Sequence, residues 1–334
     1  MKAFEYVEPG TADGISQRLL ESHGALPIAG GMDLLGLMKN GVANPARVVS
    51  LKGVDGLDSI EVDAATGDTG IGALVTLSEL IEHPGIAAHY PALVTAAASV
   101  GTPQIRNRGT LGGNLCQRPR CWYFRSDLFR CLKKGGDACF AQGGDNRYHA
   151  IFGNDRCAIV HPSSCAPALI AYDATISVAG PDGQRRVGAG EMFVSPEANV
   201  RVENILAEGE FIASIELPGS AGTASATHVV KHKQSHDWPL AIASVSLRIT
   251  ADGSIEPGSA RVVMGAVAPI PWRSLAAESV LDGAAADGAT ATAAADAAVA
   301  EADPLEHNEY KVRIAATAVK RAIMAAIESQ GDVA

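Results

Sequence analysis

The chain has 334 residues, 47% of them hydrophobic and 19% charged, which is typical of a folded globular protein and not of a disordered one. Its 27 Lys and Arg against 37 Asp and Glu give a net charge of −10, and no basic run exceeds two residues. This pattern argues against a surface built for nucleic acid or anionic lipid. No stretch of about 18 apolar residues occurs, and the N-terminus lacks an apolar signal segment, so we expect neither a membrane span nor a secretory leader.

The first part of the chain alternates between short strand patterns and helix patterns. Such alternation predicts a small parallel sheet with helical crossovers, which we assign to a first lobe over residues 1–53. In chain order, the predicted elements are a strand at Ala3–Val7, a helix capped by Thr11 or Asp13, a strand at Ala25–Ala29, a helix at Asp33–Asn40 and a strand at Arg47–Leu51.

A second lobe is predicted over residues 54–218, and it contains an insert at about 116–165 that holds all six cysteines. The segment 218–222, with the sequence PGSAG, is the best candidate linker in the chain. The predicted strands of this lobe are Ser59–Val62, Gly70–Leu74, Ala168–Val178 and Gly209–Leu217, and its predicted helices are Leu77–His83 and Pro91–Ser99.

A third domain is predicted over residues 223–330, with strands first and helices after them. The Ala-rich stretch Ala284–Ala300 fits either a helix or a loop. The strands are predicted at Thr227–Lys231, Ala241–Ile249 and Ser259–Ala266, and the last helix places Val312, Val319, Ile323 and Ile327 on one face. The fold class predicted for the whole chain is therefore α+β.

Two glycine-rich segments have the composition of anion-binding turns. The first, Pro27-Ile28-Ala29-Gly30-Gly31-Met32-Asp33-Leu34, ends a strand and begins a helix, so its backbone N–H groups and the helix dipole are aimed at one point. The second, Arg108-Gly109-Thr110-Leu111-Gly112-Gly113-Asn114, permits a backbone anion nest, to which Thr110 and Asn114 add side-chain hydrogen bonds. Each segment alone is more often a plain turn, and neither matches a Rossmann or P-loop motif.

The cysteines suggest a metal site. Their spacing lacks the paired C-x2-C knuckles of zinc modules, whereas iron–sulfur clusters bound by four thiolates tolerate wide loops. A disulfide framework fits a large chain without a secretory signal poorly. An iron–sulfur cluster is favoured, and zinc and free or paired thiols remain as alternatives. The six residues are Cys116, Cys121, Cys131, Cys139, Cys157 and Cys165.

Three segments in this order resemble the FAD-binding medium subunit of the xanthine dehydrogenase (molybdenum hydroxylase) family. They are PIAGGMDLL, IRNRGTLGGNLCQ and NEYKVRIAATAVKRAI, and together they span most of the chain. The insert, with RCWYFR, NRYHAIFG and HPSS, resembles the members that carry an extra [4Fe–4S] cluster, which are the periplasmic-type aldehyde oxidoreductases and, more distantly, 4-hydroxybenzoyl-CoA reductase.

The resemblance implies the cluster ligands. It assigns the cluster to Cys121, Cys131, Cys139 and Cys157. Cys116 and Cys165, the latter in the helix-like stretch Ser164–Ile170, are expected to be buried small residues. His149 and His161 flank the insert, and we expect them to make structural hydrogen bonds, since four cysteines already complete the ligand set.

The resemblance also implies two α/β lobes of the PCMH type that hold FAD, followed by a C-terminal α+β domain of the CO dehydrogenase flavoprotein type. The two glycine segments are expected to bind the pyrophosphate and the ribityl chain. Relatives usually have Asp after HPS, where this chain has Ser164, which brings no charge. The further residues expected near the flavin are Thr102, Ile159, Ser164 and either Lys231 or Lys233.

The function that the resemblance implies is electron transfer within a heterotrimeric molybdenum hydroxylase that oxidises aldehydes to carboxylic acids. A large subunit would carry molybdopterin, a small subunit would carry two [2Fe–2S] clusters, and electrons would leave through FAD to an external acceptor. The alternatives are a self-sufficient FAD-dependent oxidoreductase, the medium subunit of a CoA-thioester aryl reductase, and a metal-stabilised scaffold without redox work. The compartment is expected to be the cytoplasm or, through export with a signal-bearing partner, the periplasm.

Overall fold

Three sheets, each formed by a separate stretch of sequence, organise the computed structural model, which describes residues 1–232 and 236–331. The first sheet is parallel, as predicted, and its strand order is β1-β3-β2. Thr11 caps the first helix, because its Oγ1 accepts a hydrogen bond from the backbone N–H of Gly14 at 3.1 Å. The elements are β1 (Glu5–Val7), α1 (Ala12–Leu20), β2 (Leu26–Ile28), α2 (Leu34–Lys39) and β3 (Arg47–Ser50).

The second sheet is antiparallel, and its order is β4-β5-β8-β6-β7. Short helices connect β5 to β6, and two of them lie beside the cysteine-bearing insert. The elements are β4 (Ile60–Val62), β5 (Thr69–Gly72), α3 (Leu77–Glu82), α4 (Pro84–His89), α5 (Pro91–Ala98), α6 (Pro103–Arg106), α7 (Leu111–Leu115), α8 (Trp122–Arg125), α9 (Cys165–Ala171), β6 (Thr175–Gly180), β7 (Gly183–Gly188) and β8 (Phe211–Leu217).

The strand predicted at Ala168–Val178 is wrong in its first half. That half belongs to α9, and the strand begins only at Thr175, after Asp173 has turned the chain with a φ of 53°. Every residue of α9 is buried, so the helix has no polar face. Periodicity cannot distinguish such an all-apolar helix from a buried strand.

The first lobe and the second sheet share a core. Ile15 and Leu19 of α1 pack with Val49 of β3 and also with Ala179 and Phe211 of the second sheet. The small parallel sheet is thus attached to the larger sheet by apolar contact, which fixes the position of the β2–α2 turn.

The third sheet is antiparallel with the order β12-β11-β10-β9, and α12 packs across β9 and β10. The ambiguous Ala-rich stretch is mainly helical, and the side chain of Asp287 caps it by accepting from the N–H of Thr290 at 2.8 Å. In the described part of the chain, no helix is long and apolar enough to cross a bilayer. The elements are β9 (Ala224–Val230), β10 (Ala241–Leu247), β11 (Arg261–Gly265), β12 (Trp272–Arg273), α10 (Leu275–Leu281), α11 (Gly288–Val299) and α12 (Tyr310–Gly331).

Candidate functional site

The two glycine-rich segments lie against each other. Gly30 sits in the turn between β2 and α2, and a Cβ added to it would lie 1.6 Å from the backbone oxygen of Arg108, which begins the second segment. Gly31 has a φ of +75°, a conformation that residues with a side chain rarely adopt. Close approach therefore requires glycine at the first position, and backbone conformation favours it at the second.

The first segment forms an open turn that can receive an anion. Its backbone N–H groups from Gly30 to Asp33 donate to no acceptor within residues 1–232 and 236–331. None of residues 25–36 is buried, although this stretch contains a strand and the start of a helix. Free N–H groups at such a strand-to-helix turn are well suited to a pyrophosphate.

The second segment uses its amides within the protein. The N–H of Gly112 donates to Ala73 O at 2.9 Å, and the N–H of Gly113 donates to Thr110 Oγ1 at 3.1 Å. A Cβ on Gly112 would lie 2.8 Å from the Cβ of Ala73. These glycines therefore have a packing role, in addition to any ligand contact, that sequence reasoning missed.

Asn114 connects the second segment to the HPSS motif through Ser163. Ser163 Oγ donates to Asn114 Oδ1 at 2.6 Å and accepts from the N–H of Ala166 at 3.0 Å. Ser164 is buried at the N-terminus of α9 and makes no side-chain capping bond there. The serine before the predicted one thus makes the polar link.

Thr102 and Lys231 lie on two chain segments that meet. Lys231 Nζ donates to the backbone oxygen of Ser99, and Thr102 caps α6. Partial burial lowers the pKa of Lys231, and the charge of Arg106 acts in the same direction. The alternative candidate, Lys233, lies outside the described residues.

Asp33 fastens the first segment to the cysteine-bearing insert. Its carboxylate accepts from the backbone N–H of Arg118 at 2.8 Å, from Arg125 Nη2 at 2.7 Å and from Arg120. The Arg120 guanidinium also lies over the ring of Trp238, 4.5 Å from its centroid. The carboxylate of Asp33 therefore binds residues of the insert, whereas the backbone N–H of Asp33 remains free.

Four of the six cysteines line one small cavity in the insert, and they are the four that the resemblance assigns to a cluster. Ile159, predicted near the flavin, also lines this cavity. Of the other two, Cys165 is buried as expected, whereas Cys116 is only partly buried. Desolvation raises the pKa of both to about 12, so they are neutral thiols. The four lining cysteines are Cys121, Cys131, Cys139 and Cys157.

The thiols of this cavity differ in acidity. A hydrogen bond from Cys157 lowers the pKa of Cys139, and the same contact raises the pKa of Cys157. Burial raises the pKa of Cys121 to about 11. Within the described ranges, no three His, Cys, Asp or Glu side chains are placed to hold a single metal ion. The four sulfurs thus surround one space without forming a one-ion site.

A buried ion pair supports the wall of the cavity. Lys133 lines the cavity, and its Nζ lies 2.7 Å from Glu203 Oε1. Arg118 Nε lies 2.8 Å from the other oxygen of the same carboxylate. The side chains of Lys133 and Glu203 are only 1% and 6% exposed. One carboxylate thus faces two cations, so the group keeps a net positive charge beside the cavity.

The NEYK motif at the start of α12 holds the end of the insert. Lys311 Nζ donates to His149 O at 2.8 Å and to Ala266 O at 2.7 Å, and Asn308 Nδ2 donates to Ala150 O at 3.0 Å. Burial lowers the pKa of Lys311 to about 7. The motif was visible in the sequence, but its contact with the insert was not predicted.

His161 should make the fold sensitive to acid. Burial lowers the pKa of His161 to about 4. Below about pH 6.5 the histidine is therefore protonated in the unfolded chain, whereas in the folded chain it stays neutral down to about pH 4. Stability is unaffected above about 6.5 and should fall by about 3 kcal/mol as the pH drops to about 4. The free energy of unfolding, measured by urea titration, should therefore fall more between pH 7 and pH 4 for the native chain than for His161→Phe.

His23, whose side chain is 95% exposed, provides the matched control for this experiment. His23→Phe should leave the pH dependence of unfolding as it is in the native chain. Equal pH profiles for the native chain and His161→Phe would show that the buried ring does not cause acid sensitivity.

Comparison with known proteins gives concordant matches along the chain. Residues 2–220 match the FAD binding domain in molybdopterin dehydrogenase, and residues 225–326 match the CO dehydrogenase flavoprotein C-terminal domain. The chain is 35% identical over 288 residues to the aldehyde oxidoreductase FAD-binding subunit PaoB of Escherichia coli. The aligned residues cover 85% of this chain and 88% of that protein.

Two further matches come from Hydrogenophaga pseudoflava. The carbon monoxide dehydrogenase medium chain is 30% identical over 331 residues, or 97% of this chain and 96% of that protein. A solved structure of that organism's carbon monoxide dehydrogenase superposes with a TM-score of 0.76 at 29% identity and covers 97% of both chains. The predicted mixed fold, with its flavin-binding part first, is confirmed.

Proposed function

Because this chain belongs to the family of FAD-binding medium subunits of the xanthine dehydrogenase and CO dehydrogenase type, we propose that it is the electron-transfer subunit of a molybdenum hydroxylase that oxidises aldehydes to carboxylic acids. The aldehyde class is supported by the identity to an aldehyde oxidoreductase subunit over 85% of the chain. The partners in this proposal are a large molybdopterin subunit and a small subunit with two [2Fe–2S] clusters.

The residues at the glycine turns fit FAD. The free N–H groups from Gly30 to Asp33 would bind the pyrophosphate. Thr110 and Asn114 belong to the second glycine segment, which lies against Gly30. Thr102 and Lys231, whose chain segments meet at Ser99, would contribute further contacts to the cofactor. FAD, when bound, exchanges electrons with one-electron and two-electron partners. The chain's own task in this proposal is to bind, orient and shield the cofactor.

The four-cysteine cavity fits a [4Fe–4S] cluster. Its donors are four sulfurs, and Lys133, which lines the same cavity, would offset part of the negative charge that such a cluster carries. A cluster spreads its four thiolates over several iron atoms, which agrees better with the separated sulfurs than zinc does. The observation that carries the proposal is that Asp33 joins the cysteine-bearing insert to the open glycine turn through Arg118 and Arg125.

Replacing one cavity cysteine tests this assignment. Cys131→Ser in the co-purified complex should lose most of the iron that belongs to this chain, and its low-temperature EPR signal, while FAD stays bound. Iron analysis, flavin absorbance and EPR measure the three quantities. The cause is that a serine hydroxyl replaces a thiolate ligand.

Cys116→Ser is the matched control, since Cys116 lies outside the cavity lining. It should keep both the iron and the flavin. Unchanged iron and EPR in Cys131→Ser would overturn the ligand assignment, and turnover of aldehyde by the isolated chain would favour a self-sufficient oxidoreductase.

A further inference from the structure

We infer that His149 donates a hydrogen bond from its Nε2 to the sulfur of Cys121 and thereby raises the reduction potential of the cluster, and that Lys311 is a positioning residue for this histidine. The inference rests on the proposed function, because it requires the four-cysteine cavity to hold a cluster. It adds residues that act on the cluster without ligating it.

The contact itself is direct. His149 Nε2 lies 3.2 Å from Cys121 Sγ, and the ring lines the same cavity as the four sulfurs. The ring packs edge-on against Trp122, with centroids 5.3 Å apart, and lies 6.1 Å from the ring of Tyr123. These two aromatic contacts restrict the ring orientation, in which Nε2 faces the sulfur.

The location of the proton follows from the partner. A cysteine that binds iron is a thiolate and carries no proton, so the nitrogen must be the donor. The other ring nitrogen, Nδ1, is buried and has no partner in the described part of the chain. A neutral ring with its proton on Nε2 satisfies the sulfur, and the proton stays on nitrogen in both oxidation states of the cluster.

Lys311 fixes the main chain that carries this ring. Its Nζ donates to His149 O at 2.8 Å and to Ala266 O at 2.7 Å, and Asn308 Nδ2 also donates to His149 O at 3.2 Å. Lys311 is 1% exposed, so its position is determined by these carbonyls. Asn308 and Lys311, from the C-terminal part of the chain, thus hold the backbone of His149 in the position from which its ring reaches Cys121.

The expected effect is on the potential, since hydrogen bonds to cluster sulfurs favour the more negative, reduced state. His149→Phe keeps the ring but removes the donor. At a fixed potential, it should lower the ratio of reduced to oxidised cluster about tenfold, which is about 59 mV for a one-electron couple. An EPR-monitored titration of the purified complex with dithionite as the electron donor measures this ratio, and His149→Gln should recover part of it.

Lys311→Met should shift the potential in the same direction, and the double variant with His149→Phe should shift it no further than His149→Phe alone. Tyr310→Phe is the matched control. It removes the hydrogen bond from Tyr310 Oη to Arg147 O, 2.7 Å long, on the same segment but away from the sulfur. Its potential should equal that of the native complex.

The outcomes separate the two proposals. A native complex without iron in this chain would contradict the proposed function itself. A His149→Phe variant that retains iron with an unchanged potential would overturn only the inference about His149. If that variant does not fold, pulsed EPR of the native complex with 15N-labelled histidine decides, because a histidine nitrogen coupled to the cluster is expected, and its absence would overturn the inference.

Discussion

Gly30→Ala is expected to remove most of the bound FAD. The added Cβ would lie 1.6 Å from Arg108 O, and both partners of this clash are backbone, so one of the two glycine segments must move. Overpacking of this kind costs about 1–3 kcal/mol, and a cost of about 1.4 kcal/mol in binding is already tenfold in affinity. The ratio of flavin to protein absorbance after desalting measures the loss.

Gly36→Ala is the matched control, because Gly36 lies in α2, six residues farther along, and a Cβ there meets nothing within 4 Å. Alanine favours the helix by up to about 1 kcal/mol over glycine, so stability should stay equal or rise and FAD should be retained. Equal flavin content in the two variants would show that the contact between Gly30 and Arg108 does not shape the binding turn.

Glu203→Ala is expected to destabilise the insert strongly. It would leave Lys133, whose side chain is 1% exposed, without its carboxylate, and would also release Arg118. Breaking a buried ion pair on one side typically costs about 3–5 kcal/mol. For a chain of this size, that corresponds to a melting temperature lower by roughly 10 °C. Differential scanning fluorimetry and limited proteolysis of the complex measure the effect.

Two further variants distinguish the cost of an unpaired buried cation from the cost of losing any ion pair. Glu256→Ala breaks the exposed pair with Arg248, whose side chains are 49% and 42% exposed, and should cost less than about 1 kcal/mol. Glu203→Leu combined with Lys133→Met should recover much of the stability, because it leaves no unpaired buried cation. A Glu203→Ala variant as stable as Glu256→Ala would contradict this account.

Elements with local signals could be predicted from the sequence. The cap at Thr11 and the alternation of short apolar runs define the parallel sheet, and the apolar face with Val319 and Ile323 defines α12. The helix Cys165–Ala171 was anticipated by the helix-like stretch Ser164–Ile170, but because it is apolar on every side, its second half also fitted a strand. The polar strand Gly183–Gly188 was missed for the opposite reason, because no residue in it is fully buried.

The candidate site was predictable in its parts but not in its connections. Gly30, Gly31 and the four cavity cysteines were identified from composition and resemblance. The contact of Lys311 with His149 joins residues far apart in the sequence, and no local pattern encodes it. The same holds for the carboxylate of Asp33, which the structure directs toward the insert instead of toward a ligand.

The most direct test of the central claim is the cofactor content of the chain after anaerobic purification with its partners. Flavin extraction, iron and sulfide analysis and low-temperature EPR should find one FAD and one four-iron cluster on this subunit, beyond the iron of the small subunit. Flavin without any iron on this chain would contradict the cluster, and a complex without flavin would contradict the account as a whole.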